Sequence, residues 1–251
     1  MLKTRLIPKL LLKHGRNVKG VQFTALRDVG QPVTNARIYD AQGADELLFL
    51  DITASTEPRA LLYETIARTA EEVFMPFCVG GGVRSLDDIR QLLLAGADKV
   101  AINTAAVETP QLIQQGAALF GAQCLVASID FRRQGRRAVV YTHGGTRATD
   151  LEVLAHAQHM VALGAGEILL TSIDRDGTMQ GYDLAMTRAV AEALPVPVIA
   201  SGGAGTLQHL AEAIQVGQAA AVAVGSLFHF TDQSPIKARS FLRLAGLNVR
   251  T

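Results

Sequence analysis

Short runs of β-branched and aliphatic residues recur along the chain, and Gly, Pro or Asp bounds each run. Continuous apolar runs of this length are typical of strands covered on both faces. The segments between them carry apolar residues at helical spacing, most clearly at 85–95, 151–163 and 235–245. We predict eight strands, at residues 5–12, 46–51, 73–79, 99–103, 124–130, 167–172, 196–201 and 220–225.

Strand and helix therefore alternate eight times, which predicts a parallel sheet closed into a (βα)8 barrel of the α/β class. The chain has 251 residues and no Gly/Ser-rich linker, so we expect a single TIM-barrel domain over 1–251. An internal repeat indicates two half-barrels, because GADELLFLDI at 43–52 aligns with GAGEILLTSI at 164–173. The same register places Gly82 on Gly203.

The amino-acid composition argues against several classes of binding partner. Lys and Arg number 24 against 23 Asp and Glu, so the net charge of +1 offers no broad basic surface for nucleic acid or an anionic membrane. We find no signal-peptide pattern and no apolar run long enough to span a bilayer. Cys78 and Cys124 lack metal-ligand spacing, and the six histidines form no recognised motif. We expect a cytoplasmic protein without a metal or other cofactor.

Glycine-rich turns follow two of the predicted strands. GGGVRS at 80–85 and SGGAGT at 201–206 each lead into a helix, where backbone N–H groups and the helix N-terminus can hold a phosphate. Asn103 and Thr104 end strand four, and Gly225 and Ser226 end strand eight. The repeat thus predicts two phosphate sites on opposite sides of the C-terminal mouth, although a tight turn without a ligand is the alternative for either one alone.

Carboxylates also end strands at this mouth. Asp130 closes strand five, Asp51 closes strand two, and Asp174 and Asp176 follow strand six. A carboxylate at this level can transfer protons, and the alternative is a cap on the next helix or a bond to loop amides. We favour chemistry for Asp130.

Four charged residues open strands at the other end of the barrel. Arg5, Glu46, Lys99 and Glu167 begin strands one, two, four and six. Since alternate strands point side chains into the bore in layers, these residues can form a ring of two cations and two anions. The alternative is ordinary solvated rim charge.

The segment 13–30 is long, basic and punctuated by glycine. These features are typical of a mobile lid, and this lid would bring Lys19 or Arg16 over an anionic substrate.

Several motifs together carry a family resemblance. They include GRNVKG at 15–20, DELLFLDITAS at 45–55, GADKVAINTAAVE at 96–108, GAGEILLTSIDRDGT at 164–178 and ASGGAG at 200–205. Over essentially its whole length the chain resembles the HisF family, the cyclase subunit of imidazole glycerol phosphate synthase.

The resemblance implies a glutaminase partner of the HisH type that docks on the N-terminal face. Its ammonia would travel through a hollow, water-poor passage that runs from end to end of the barrel, to a phosphorylated small molecule. The implied ammonia gate is Arg5, Glu46, Lys99 and Glu167, and the implied partner contacts are Asp98 and Gln123. The implied substrate and phosphate ligands are Lys19, Gly82, Asn103, Thr104, Asp176, Gly177, Gly203, Gly225 and Ser226, beside the catalytic Asp130.

One departure from the family concerns strand one. The family has a second catalytic aspartate where this chain has Leu11, whose side chain transfers no proton. Loss of such a group costs on the order of 10²–10⁴ in rate. Cyclase chemistry would then need a substitute, for which Asp51, Asp176 and His14 are the candidates.

Other segments resemble a paralogous branch that installs acetamidino groups on surface sugars, as in lipopolysaccharide biosynthesis. They include RLIPKLLLK at 5–13, FMPFC at 74–78 and YTHGGT at 141–146. In that branch the barrel is thought only to supply ammonia, so Leu11 would be tolerated. This role is our leading hypothesis from the sequence; the alternatives are the histidine-pathway cyclase and a catalytically silent partner that activates a glutaminase.

Overall fold

A computed structural model describes residues 3–52 and 59–250. The strands are β1 (Arg5–Lys13), β2 (Arg16–Val21), β3 (Thr24–Gly30), β4 (Leu47–Asp51), β5 (Phe77–Gly80), β6 (Lys99–Ile102), β7 (Leu125–Gln134), β8 (Arg137–Thr142), β9 (Arg147–Glu152), β10 (Glu167–Ser172), β11 (Val198–Ser201) and β12 (Ala221–Val224). The helices are α1 (Pro32–Ala41), α2 (Arg59–Glu72), α3 (Leu86–Leu94), α4 (Thr104–Glu108), α5 (Gln111–Phe120), α6 (Val153–Ala162), α7 (Leu184–Ala193), α8 (Leu207–Gln215), α9 (Ser226–Phe230) and α10 (Pro235–Leu244).

Eight of these strands close into a parallel barrel, which confirms the predicted fold. β1 pairs with both β12 and β4, and β10 pairs with both β7 and β11, so the described strands leave no open edge in the ring. The helices cover the outside, and their apolar faces pack on the strands as one large cluster. The C-terminal ends of all eight strands therefore meet at one mouth.

A second, separate apolar cluster lies inside the bore. Its side chains are packed against one another, so the bore is filled with apolar side chains and the prediction of a hollow passage from the sequence was wrong. The buried members are Ile7, Leu48, Cys78, Ala101, Val126, Leu169, Ile199, Ala221 and Ala223.

The segment 13–30 is not the irregular lid we expected. It forms an antiparallel hairpin of β2 and β3 that pairs with β1 through the register Leu11 to Val18. The turn between β1 and β2 is His14–Gly15, both at positive φ, which are the dihedrals of a two-residue hairpin turn. A second hairpin of β8 and β9 follows β7.

Two strands are shorter than predicted because of prolines. The strand expected at 73–79 begins at Phe77, directly after Pro76, and the strand expected at 196–201 begins at Val198, directly after Pro197. Proline lacks the N–H that a ladder needs. Residues 53–55 of the motif at 45–55 lie outside the described residues.

Candidate functional site

The four charges that open the strands meet at the N-terminal end of the bore. Arg5 Nη1 lies 2.5 Å from Glu46 Oε2, and the same guanidinium also bonds Glu167. Lys99 Nζ lies 3.0 Å from Glu46 and 2.9 Å from Glu167. Each cation thus contacts both anions, and the predicted ring is present.

The ring is balanced in charge and partly open to solvent. Desolvation opposes the charge on Lys99, but the carboxylates of Glu46 and Glu167 outweigh it and raise its pKa. Arg5 shows the same balance and a raised pKa. A cavity of about 310 Å³ lies over the ring and is also lined by Lys3, Thr4, Asp45, Pro76 and Arg250.

The N-terminal face around this cavity carries exposed apolar side chains. Phe74 is 95% exposed and lies between α2 and β5. Three more lie at the C-terminal ends of helices, where the chain reaches the same face: Leu94, Leu119 and Leu244. Asp98 and Gln123 are also exposed, although the Asp98 carboxylate accepts a 2.9 Å bond from the Phe77 N–H. Aromatic side chains such as that of Phe74 are enriched at protein–protein interfaces.

Two lysines share one aspartate at the opposite end of the barrel. Lys9 Nζ lies 3.0 Å from Asp176 Oδ1, and Lys19 Nζ lies 2.6 Å from Asp176 Oδ2. Lys9 also donates to Ser201 Oγ over 3.1 Å. Lys9 and Lys19 are only 2% and 1% exposed, so Lys19 is already buried in the mouth rather than held on a mobile lid.

The charges within this cluster shift one another's pKa values. Desolvation would raise the pKa of Asp176, but the two ammonium groups outweigh it and lower that pKa. The pKa of Lys19 is lowered, first by desolvation and further by the charge of Lys9. A buried group of two cations and one anion keeps an excess positive charge, which favours an additional anion.

Asp130 lies beside this cluster at the end of the barrel segment of β7. Desolvation raises its pKa to about 7, Asp176 adds to the rise, and Lys9 and Thr171 oppose it. Asn103 Nδ2 lies 3.4 Å from Asp130 Oδ2. A carboxyl with a pKa near neutrality can both accept and return a proton, which suits a general acid–base group.

The glycine-rich loops form a narrow cleft above the two lysines. Gly177, Gly203, Gly225 and Ser226 all line it, together with Lys9, Lys19 and Asp176. Gly203 has φ +111°, and a side chain there would collide with the Gly181 carbonyl. The cleft holds only about 10 Å³, roughly one water-sized probe. The Ser226 hydroxyl is buried with no hydrogen-bond partner in the structure.

In the other half-barrel, the polar side chains of the corresponding loops already bond to backbone groups of the protein. Asn103 Nδ2 donates to the Ser128 carbonyl over 3.0 Å, and Thr104 Oγ1 accepts the His143 N–H over 3.0 Å. Gly82 retains a positive φ of 61° in its turn. The two halves thus share their turns, but the β8–β9 hairpin contacts this side of the mouth.

The remaining candidates lie in different surroundings. Leu11 is buried at the mouth, where its Cα pairs with Leu50 of β4. Arg16 pairs with Asp28 on the exposed face of the hairpin and does not line the cleft that contains Lys19. His14 is exposed in the β1–β2 turn. Asp51 ends β4.

Sequence reasoning missed Lys9. The signal was available, because Arg5 was expected to point into the bore and residues four apart on a strand share a face. Because Lys9 stands within an apolar run, the run predicted a buried strand and gave no sign that this strand contributes a charge to the mouth.

The described residues form neither a metal-binding cluster nor a membrane-spanning helix. No group of three or more His, Cys, Asp or Glu side chains in 3–52 and 59–250 has an arrangement that could hold a metal ion. No described helix has both the length and the apolar character needed to cross a bilayer.

Known proteins resemble the whole chain. A family model described as "Histidine biosynthesis protein" matches residues 5–234. The chain is also 58% identical over 253 residues to a Myxococcus xanthus (strain DK1622) protein named "Imidazole glycerol phosphate synthase subunit HisF". That alignment covers 100% of this chain and 99% of the relative.

Proposed function

Since the chain belongs to the HisF family of histidine biosynthesis proteins, we propose that it receives ammonia at the N-terminal face of its barrel and joins it to a phosphorylated small molecule at the C-terminal mouth. The observation that carries this proposal is the pairing of a charged ring at one end with a proton-accepting, anion-favouring cluster at the other.

The supply of ammonia requires a glutaminase on the N-terminal face. The exposed apolar side chains of the N-terminal face, among them Phe74, support such a partner, as does the 310 Å³ cavity over the ring. Asp98 and Gln123 lie on the same face. The relative is itself named as a subunit.

Passage along the barrel axis suits the neutral form of ammonia. The bore beyond the ring is lined by buried apolar side chains such as Ile7 and Leu169. A charged ammonium ion would pay a desolvation cost there that NH₃ avoids. Because these side chains contact one another, transfer requires them to move aside.

The substrate is held by the cleft of Lys19, Gly177, Gly203, Gly225 and Ser226. Asp176 Oδ2 bonds Lys19 in this cleft, so a phosphate enters as Lys19 exchanges this bond for one to the phosphate, while Asp176 Oδ1 keeps its bond to Lys9. Gly82, Asn103 and Thr104 hold the second phosphate once Asn103 and Thr104 exchange their present bonds to backbone groups for bonds to the phosphate. Asp130 then moves protons at the reacting carbon.

Two acceptors remain candidates. The 58% identity to a HisF subunit over the full chain favours the imidazole-forming cyclase reaction of histidine biosynthesis. Leu11 favours the second candidate, in which the barrel relays ammonia to an enzyme that makes acetamidino sugars in lipopolysaccharide biosynthesis.

One assay separates the acceptors. Purified protein is incubated with an ammonium salt and the cyclase substrate of the histidine pathway, and imidazole product is measured. Turnover at the rate of ordinary cyclases supports the first candidate. Absence of turnover, with gain of turnover in Leu11→Asp but not in the matched Leu11→Asn, supports the second.

A second assay tests the ammonia route against the silent-partner alternative. The protein is paired with a HisH-type glutaminase, and turnover with glutamine is compared with turnover with ammonium salt. We expect Lys99→Ala to alter the glutamine-dependent rate without loss of docking. Equal rates in the variant and the native pair would contradict a role of the ring in passage.

A further inference from the structure

Lys9 belongs to the row of β1 side chains that face the bore. Arg5 lies in the ring at the N-terminal end, Ile7 belongs to the apolar cluster, and Lys9 and Leu11 follow at the same two-residue spacing. Residues i, i+2 and i+4 of a strand share one face. Lys9 is therefore the ionisable group that β1 contributes toward the mouth, one inward layer below Leu11.

The Lys9 side chain bridges the gap between these layers. Its Cα pairs with Leu48, a member of the apolar cluster, yet its ammonium reaches Ser201 at the end of β11. Two strand residues span roughly 6.6 Å, which is about the length of an extended lysine side chain. The Lys9 ammonium thus stands at the depth of the strand ends, where Leu11 places only a hydrocarbon.

We propose that Lys9 supplies, from this deeper layer, the second acid–base group of the active site that Leu11 cannot provide. The inference rests on the proposed function, since it requires ammonia to add to a carbon at this mouth. Asp176 and Ser201 position the ammonium, and Lys19 is left to hold the substrate's anion.

The proton transfers balance for a carbonyl acceptor. The nitrogen lone pair of NH₃ forms the new C–N bond while the C=O π pair moves to oxygen. Lys9 donates a proton to that oxygen, and the Asp130 carboxylate accepts a proton from the new ammonium nitrogen. The product is a neutral carbinolamine, and the proton on Asp130 returns to Lys9 through water.

The charges that face Asp130 determine in which direction its pKa changes when a lysine is replaced. Lys9 on β1 lowers the Asp130 pKa, Asp176 on the loop after β10 raises it, and the neutral Thr171 and Asn103 complete its surroundings. Lys19 acts on Asp176 and is not among the groups that shift Asp130. Removal of the Lys9 charge must therefore raise the Asp130 pKa, whereas removal of the Lys19 charge should leave it nearly unchanged.

The first test is a titration of Asp130 in protein labelled with ¹³C-aspartate, followed by NMR. We expect Lys9→Met to shift the Asp130 midpoint upward by about one unit or more. The matched control is Lys19→Met, which removes the other lysine from the same carboxylate and should leave the midpoint in place. An unchanged midpoint in Lys9→Met overturns the proposal. If Lys9→Met does not fold, Lys9→Gln, which is also uncharged but polar, serves instead.

The second test is kinetic, with ammonium salt and the cyclase substrate. We expect Lys9→Met to lower kcat on the order of 10²-fold with KM nearly constant, and Lys19→Met to act mainly on KM. The double variant Lys9→Met/Leu11→Asp should regain turnover. Native kcat in Lys9→Met overturns the proposal. If the native protein shows no turnover, the cyclase candidate is contradicted. The proposal for Lys9 is then tested by the titration alone.

Discussion

The two ends of the barrel carry the same kinds of charge in different proportions. The ring at the N-terminal end holds two cations and two anions in mutual contact. The mouth at the C-terminal end holds two lysines on the single carboxylate of Asp176, with Asp130 close to half protonated at neutral pH.

This difference separates a self-sufficient cluster from one that needs a ligand. Every ring charge has partners of opposite sign within the protein, so the ring needs no added ion. The mouth retains an excess positive charge in a more deeply buried place while Asp130 is protonated, and a bound anion can neutralise this charge. Four predictions test the contrast, from the largest effect to the smallest.

The largest effect is expected for Asp176→Asn. It leaves Lys9 and Lys19 without a carboxylate while both are almost fully buried, so we expect a loss of about 3–5 kcal/mol in the free energy of unfolding. Inorganic phosphate should restore much of this stability, because it binds the folded state. Urea unfolding with phosphate and with chloride at equal ionic strength measures both; equal values in the two salts would contradict an anion site.

Asp130→Asn should stabilise the protein at neutral pH. The pKa of Asp130 is about 7 in the folded state against 3.8 for the ordinary group. The folded state therefore holds more protons across this window, and native stability falls as pH rises through it. The difference between these two pKa values corresponds to about 4 kcal/mol, so we expect Asn to gain up to that amount at pH 8 and almost nothing at pH 4. Unfolding curves across that range would show a constant difference if Asp130 titrated normally.

Glu46→Gln makes in the ring the change that Asp176→Asn makes at the mouth. Arg5 and Lys99 are about a fifth exposed and keep Glu167 as a partner, so we expect a smaller loss of about 2 kcal/mol. Phosphate should give this variant no more protection than it gives the native protein. A phosphate rescue equal to that of Asp176→Asn would remove the distinction between the two ends.

Phe74→Ser should have the smallest effect on the isolated chain. The ring of Phe74 is 95% exposed, so we expect a change in unfolding free energy within about 0.5 kcal/mol. Affinity for a HisH-type glutaminase should fall, which titration calorimetry would measure. Unchanged affinity would remove Phe74 from the partner surface, and Arg137→Ser on the exposed part of β8 provides the control.

Much of the fold follows from local patterns that can be identified in the sequence. The apolar runs and the helical spacing between them predict the eight units, and the repeat pairs Gly82 with Gly203. The ring followed from the position of Arg5 at the opening of a strand. The predicted strands at 73–79 and 196–201 began too early, because the apolar runs were given more weight than the N–H groups that Pro76 and Pro197 lack.

The arrangement of charged side chains at the mouth was harder to predict from the sequence. The segment carrying Lys19 has the glycines and charges of a loop, but pairing with β1 makes it a hairpin and buries the lysine. Lys9 appeared as one charge within an apolar run. Its contact with Asp176 joins residues 167 positions apart.

The sequence alone determined the barrel, the order of its units and the residue types available at each end, since these depend on periodicity and local turn chemistry. Tertiary structure decided which charges meet. The two lysines lie far along the chain from Asp176. The pKa values of Lys19 and Asp176 depend on burial and on distances of a few ångströms that exist only after the barrel has closed.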